Sequence, residues 1–114
     1  MKILGIDTSS NILSICVSEN DNILGENTIN NLTNHSPKVV PMIDELLSSL
    51  KIDISDIDVF ACSIGPGSFT GLRIGIGLAK AMAQANDKPI IGVPTLLSLG
   101  KNISILEGFI CPII

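Results

Sequence analysis

Charge is scarce in this sequence. Asp, Glu, Lys and Arg make up 16% of its 114 residues, against 46% hydrophobic residues. With a mean hydropathy of +0.52, that balance excludes a disordered tail, which needs low hydropathy and high charge. Basic residues are scarcer still, 7 against 11 acidic ones, for a net charge of −4 and a pI near 4.6. No basic stripe is present to follow a phosphate backbone, so duplex binding by this chain alone is not expected. Histidine occurs once, at His35, and no Cys/His pair or CxxC has zinc spacing, which excludes a structural zinc site. The three cysteines, Cys16, Cys62 and Cys111, each sit in an apolar, strand-like run. They read as small buried hydrophobes of an intracellular protein rather than a disulfide framework. No apolar run approaches the ~18 residues of a membrane span, and Asp7 comes too early for a signal-peptide core. The expectation is a soluble, cytoplasmic chain forming one small domain or part of a larger one.

What is there is periodic. Residues 3–6 are continuously apolar, as in a strand buried on both faces. Residues 12–18 alternate, with Leu13, Ile15 and Val17 on one side and Ser14, Cys16 and Ser18 on the other. Glu19-Asn20-Asp21-Asn22 is turn chemistry, and a further strand-like run from Ile23 to Ile29 completes a hairpin. Ser36-Pro37 is a helix start, with Val39, Ile43, Leu46, Leu47 and Leu50 on one apolar face. Pro41 is discordant: either that helix starts nearer Val40 or it bends there. A strand over 59–64, a loop at Gly65–Ser68, a helix from about Thr70 to Ala85 and a strand over 90–93 follow. Pro94 opens a short helix toward Leu99, and Ile110–Ile114 reads as one more strand. The order β-β-β-α-β-α-β-α implies an α/β fold, a mixed sheet with helices packed on it.

Several segments could carry chemistry. Gly65-Pro66-Gly67-Ser68-Phe69-Thr70-Gly71-Leu72-Arg73 joins a strand to a helix N-terminus, the arrangement of an anion site. It lacks the Lys-Ser/Thr of a Walker loop and the third glycine of a dinucleotide fingerprint, so a tight strand-to-helix connection is the simpler reading. Behind it, Gly71, Gly75, Ala79 and Ala83 recur every four residues, and Gly77 adds a further helix penalty. Such a stripe admits a close backbone, either the chain's own sheet or a partner's helix. Asp7, Thr8 and Ser9 end the first strand, where open α/β sheets place ligands, and are candidate phosphate or turn-capping groups. His35 beside Ser36 suggests a base–nucleophile pair, though a capping Ser36 with a solvated His35 is simpler. Asp53, Asp56 and Asp58 read as a solvated loop, and Arg73 as a partner for an anion or a carboxylate.

Three stretches together resemble one family: Ile3–Ser9, Asn34-His35-Ser36 with Val39–Asp44, and Gly65–Gly75. It is the TsaB (YeaZ) family, a bacterial component of the machinery for threonylcarbamoyladenosine in tRNA. The Gly-Pro-Gly-Ser-Phe-Thr-Gly-Leu-Arg run is specific to it, whereas Asp-Thr-Ser is shared across the actin–hexokinase superfamily. The resemblance implies an RNase H-like, actin-like (ASKHA) lobe over residues 1–103, with residues 104–114 starting a truncated second lobe. The family's catalytic relative, TsaD, carries a His-x-x-x-His metal pair where this sequence has Thr95 and Leu99. Neither residue replaces an imidazole as a strong ligand for a transition metal.

The resemblance therefore implies a non-catalytic scaffold with no catalytic residues and no metal. It would pair with TsaD, support assembly with the ATPase TsaE, and form a homodimer when alone. The contact is expected on the two helices, at Gly71, Ile74, Gly75, Leu78, Ala79, Met82, Val39, Met42 and Ile43. Neither direct tRNA binding nor membrane attachment is expected of this lobe. The alternative is an actin-type kinase or ATPase using Asp7, Thr8 and Ser9 at the phosphates. No resident cofactor is expected, beyond weak ATP or ADP with Mg²⁺ in a longer protein or complex.

Overall fold

Residues 1–30, 36–103, 108–109 and 111–112 are described by a computed structural model. The continuous apolar run becomes β1 (Lys2–Asp7), and the alternating one becomes β2 (Ile12–Glu19), paired antiparallel to β1 with Gly5 opposite Cys16. The turn after β2 places Asn20 and Asp21 at φ of 49° and 68°. Asn and Asp tolerate that left-handed backbone, and it is the twist a tight hairpin needs. β3 (Asn22–Asn30) returns antiparallel along β2. The period then changes to α1 (Ser36–Leu50), a 3-10 turn (Ile54–Asp56), β4 (Val59–Ser63), α2 (Phe69–Ala85), β5 (Ile90–Val93) and α3 (Thr95–Lys101). β4 and β5 add in parallel beside β1, giving a five-stranded mixed sheet of order β3-β2-β1-β4-β5.

One face of this sheet makes the core. Leu4 and Ile6 of β1, Leu13, Ile15 and Val17 of β2, and Phe60 and Cys62 of β4 are buried under Val39, Ile43, Leu46 and Leu47 of α1 and Ala79 and Ala83 of α2. Each fully buried large side chain contributes about 1.5–3 kcal/mol relative to exposure. α1 starts at Ser36 rather than nearer Val40 and runs through Pro41, whose ring lies on the exposed side. The opposite face carries small side chains, Gly5, Ser14, Cys16 and Ala61, and is only half-covered.

Of the three cysteines expected to be buried, only Cys62 is; Cys16 is half-buried on the opposite face and Cys111 is exposed. Alternation explains Cys16, which shares the parity of Ser14 and Ser18. Cys111 and Pro112 are not in a strand, and the rest of the expected strand at 110–114 lies outside the described residues. So does His35, as do residues 104–107 at the start of the expected second lobe.

Candidate functional site

The specific motif of the sequence closes a clasp between β1 and α2. At the end of β1, Ser9 donates to the Asp7 carboxylate through both its N–H (2.9 Å) and its hydroxyl (2.6 Å). Thr8, buried, donates its hydroxyl to the Gly71 carbonyl at 2.5 Å. From the loop, the Ser68 N–H donates to the Ser9 carbonyl at 2.8 Å. Ser68 then caps α2, its hydroxyl accepting the Gly71 N–H at 3.2 Å. A Cβ on Gly71 would run into the Thr8 carbonyl oxygen, and one on Gly75 into the Thr8 hydroxyl.

Those contacts correct two expectations. The room made by Gly71 and Gly75 is filled by Thr8 of the same chain, and Ala79 and Ala83 bury against the sheet. The stripe serves close packing of α2 on its own β1, and it is not where a partner's backbone could enter. The candidate phosphate groups Thr8 and Ser9 are buried and committed to Gly71 and Asp7, and two loop amides, those of Ser68 and Gly71, already have internal acceptors. A nucleotide phosphate does not fit these donors as they stand. Asp7 itself lines a separate hollow of about 180 Å³ on the half-covered face, with Ser14, Cys16, Ser63 and Ser98. Burial pushes the Cys16 thiol above its ordinary pKa there, with the Glu26 carboxylate adding to the shift.

What α1 and α2 do present outward is a groove. Its cavity of about 400 Å³ lies between Val40, Ile43 and Leu47 of α1, Leu78 and Met82 of α2, and Ile52 and Ile54 below. Of the expected contact residues, Ile43, Leu78 and Met82 line it. Ile74 is half-buried, and Val39 and Met42 are turned into the core. Sequence reasoning missed Val40, which is 55% exposed on the lip, and gave Gly77 no place beyond its helix penalty. Gly77 stands about 200° around the helix from Gly75; it is exposed, and a Cβ there would meet nothing within 4 Å. An interior glycine costs about 1 kcal/mol against Ala, and no contact within the described chain accounts for it. The signal was present in the sequence as the glycine outside the four-residue period.

The remaining candidates are structural. Asp53 and Asp56 form a reciprocal capping box on the 3-10 turn, and the Ser55 N–H holds the Asp53 carboxyl below its ordinary range. Asp58 accepts the Lys2 N–H at 2.7 Å, tying the start of β1 to the approach of β4. Arg73 lies over the Phe69 ring, 5.4 Å from its centroid, and makes no ion pair with a carboxylate among the described residues. Thr95 and Leu99 stand one turn apart on α3. The Thr95 N–H donates to the Gly65 carbonyl and its hydroxyl is buried without a hydrogen-bond partner among the described residues, while Leu99 is exposed.

Residues 22–114 match the family model for TsaD, tRNA N6-adenosine threonylcarbamoyltransferase. The tRNA threonylcarbamoyladenosine biosynthesis protein TsaB of Bacillus subtilis is 37% identical over 113 residues, covering 99% of this chain and 49% of its own length. A tRNA N6-adenosine threonylcarbamoyltransferase of Thermodesulfovibrio yellowstonii is 37% identical over 108 residues, covering 82% of this chain and 32% of that protein. Among solved structures, YeaZ from Pseudomonas aeruginosa superposes with a TM-score of 0.82 at 30% identity, covering 89% of this chain and 46% of that one. Thermus thermophilus RuvC, with a TM-score of 0.55 at 13% identity, shares the fold alone. The chain spans about half the length of the TsaB relatives it matches.

Proposed function

The chain belongs to the TsaB (YeaZ) family, and from that premise we propose that it is a non-catalytic partner subunit in tRNA threonylcarbamoyladenosine formation. In this reading it pairs with a TsaD-type transferase through the groove between α1 and α2, forms a homodimer in the transferase's absence, and supports assembly with the ATPase TsaE in the cytoplasm. The observation that carries it is the groove itself: an apolar hollow lined by Leu78 and Met82 of α2, with the exposed Val40 of α1 at its edge. A hydrophobic side chain of a partner helix can fill such a hollow.

Two further features support this over catalysis. α3 carries Thr95 and Leu99 where the resemblance aligns the transferase's histidines, and neither supplies a nitrogen ligand. Asp7, Thr8 and Ser9 are bonded among themselves and to α2, which weighs against an actin-type nucleotide enzyme. The test is light scattering of this chain alone and mixed with the transferase encoded in the same genome. The expected result is a one-to-one pair that Val40→Gln, at the edge of the groove, weakens about tenfold or more. Gly75→Leu cannot serve, since it disrupts the clasp with Thr8 and therefore the fold. Full association by a folded Val40→Gln chain would remove the groove from the interface.

A further inference from the structure

The lips of the groove are acidic. Asp44 of α1 and Asp53 of the capping box line it beside the apolar floor, and no Lys, Arg or His is among its lining residues. Asp53 is held ionised by its capping bonds, and neither carboxylate is among the described residues' ion pairs within 4.0 Å. An apolar floor between two unneutralised carboxylates fits a helix whose apolar stripe is flanked by Lys or Arg. It fits a second copy of this chain less well, because groove-to-groove docking sets Asp44 and Asp53 against the same acidic lips. We infer that the groove's occupant is a basic-flanked amphipathic helix of the transferase, and that charge, rather than the apolar floor, makes the chain prefer it over a second copy. This rests on the proposed pairing through α1 and α2 and adds the chemistry of the partner surface.

Ionic strength separates the two associations. Between about 0.01 M and about 1 M salt the screening length falls from about 30 to about 3 Å. Pairing with the transferase should weaken across that range, while self-association should strengthen as the like charges are screened. The double variant Asp44→Asn/Asp53→Asn keeps an oxygen at the cap of the 3-10 turn and removes both charges. Titrated against the same transferase, it should bind about five- to tenfold more weakly at low salt and equally at high salt. It should also self-associate more readily than the parent chain at low salt. A heteropair insensitive to salt and to the double variant, but still broken by Val40→Gln, overturns the charge assignment and leaves the groove reading standing. A heteropair insensitive to Val40→Gln overturns the groove reading, and with it this one.

Discussion

Gly75 and Gly77 lie two residues apart on α2, and the same substitution should move stability in opposite directions at them. At Gly77 an alanine meets open space, so Gly77→Ala should stabilise the chain by about 0.5–1 kcal/mol, read as a shift in urea midpoint at constant slope. At Gly75 the new methyl meets the Thr8 hydroxyl, and Gly75→Ala should cost about 1–3 kcal/mol. Thr8→Ala removes that obstacle along with the hydroxyl's bond to Gly71. The double variant should therefore lose less than the sum of its single changes, by about 0.5–3 kcal/mol in a double-mutant cycle. Strict additivity would mean that the two residues do not touch in solution. The thiols divide in a similar way. Burial pushes Cys62 and Cys16 above the ordinary thiol pKa, whereas Cys111 is exposed. At neutral pH a thiol reagent should label Cys111 in a fast phase that Cys111→Ser abolishes, with Cys16 and Cys62 following slowly.

At the scale of elements, the sheet is registered partly through a carboxylate. The Lys2 N–H holds the Asp58 carboxyl below its ordinary value, with smaller help from Lys88 and the chain's amino terminus. A depressed folded pKa means that the ionised form stabilises the fold above the unfolded value, about 3.9, and that this is lost as pH falls through the folded value. Asp58→Asn should therefore lower the thermal midpoint at pH about 6, and the gap to the parent chain should close as pH falls toward about 2. A gap that stays constant with pH would place Asp58 outside this linkage. The clasp joins the other end of β1 to α2 through Thr8 and Ser9, so the central strand is pinned at both ends by side chains that are not hydrophobic.

At the scale of the molecule, the two faces of the sheet differ. Helices α1 and α2 cover one, while the other is half-covered, and β5 stands at an edge with Ile90 and Ile91 exposed beside Ile64 and Leu97. Parallel strands ordinarily have both faces covered, and an apolar edge strand is a template for association. The chain by itself should therefore show concentration-dependent association in addition to any pairing through the groove. Ile91→Lys should raise the concentration at which light scattering rises above that of a groove-paired dimer, and Val40→Gln should leave that second threshold where it is. The reverse outcome would place the self-association on α1 and α2 instead.

Much of this was legible along the chain. Alternation in residues 12–18, the helical spacing from Val39 to Leu50 and the Asn-Asp turn determined the elements and the hairpin, because each is a local preference of a few neighbouring residues. The glycine motif and the positions of Thr95 and Leu99 carried the family resemblance. Periodicity also established that Gly71, Gly75 and Ala79 share a face and that Gly77 stands off it. It could not say which face looks inward, because a helix viewed alone has no inside. Only the approach of Thr8 to Gly71 and Gly75, more than sixty residues away in sequence, and the burial of Ala79 in the core decided that these are packing residues and that Gly77 is exposed. The same holds for Asp58 and Lys2, and for the groove, whose walls come from two helices and the turn after α1. Long-range contacts close in three dimensions, and the physical cost or gain at each residue is settled there.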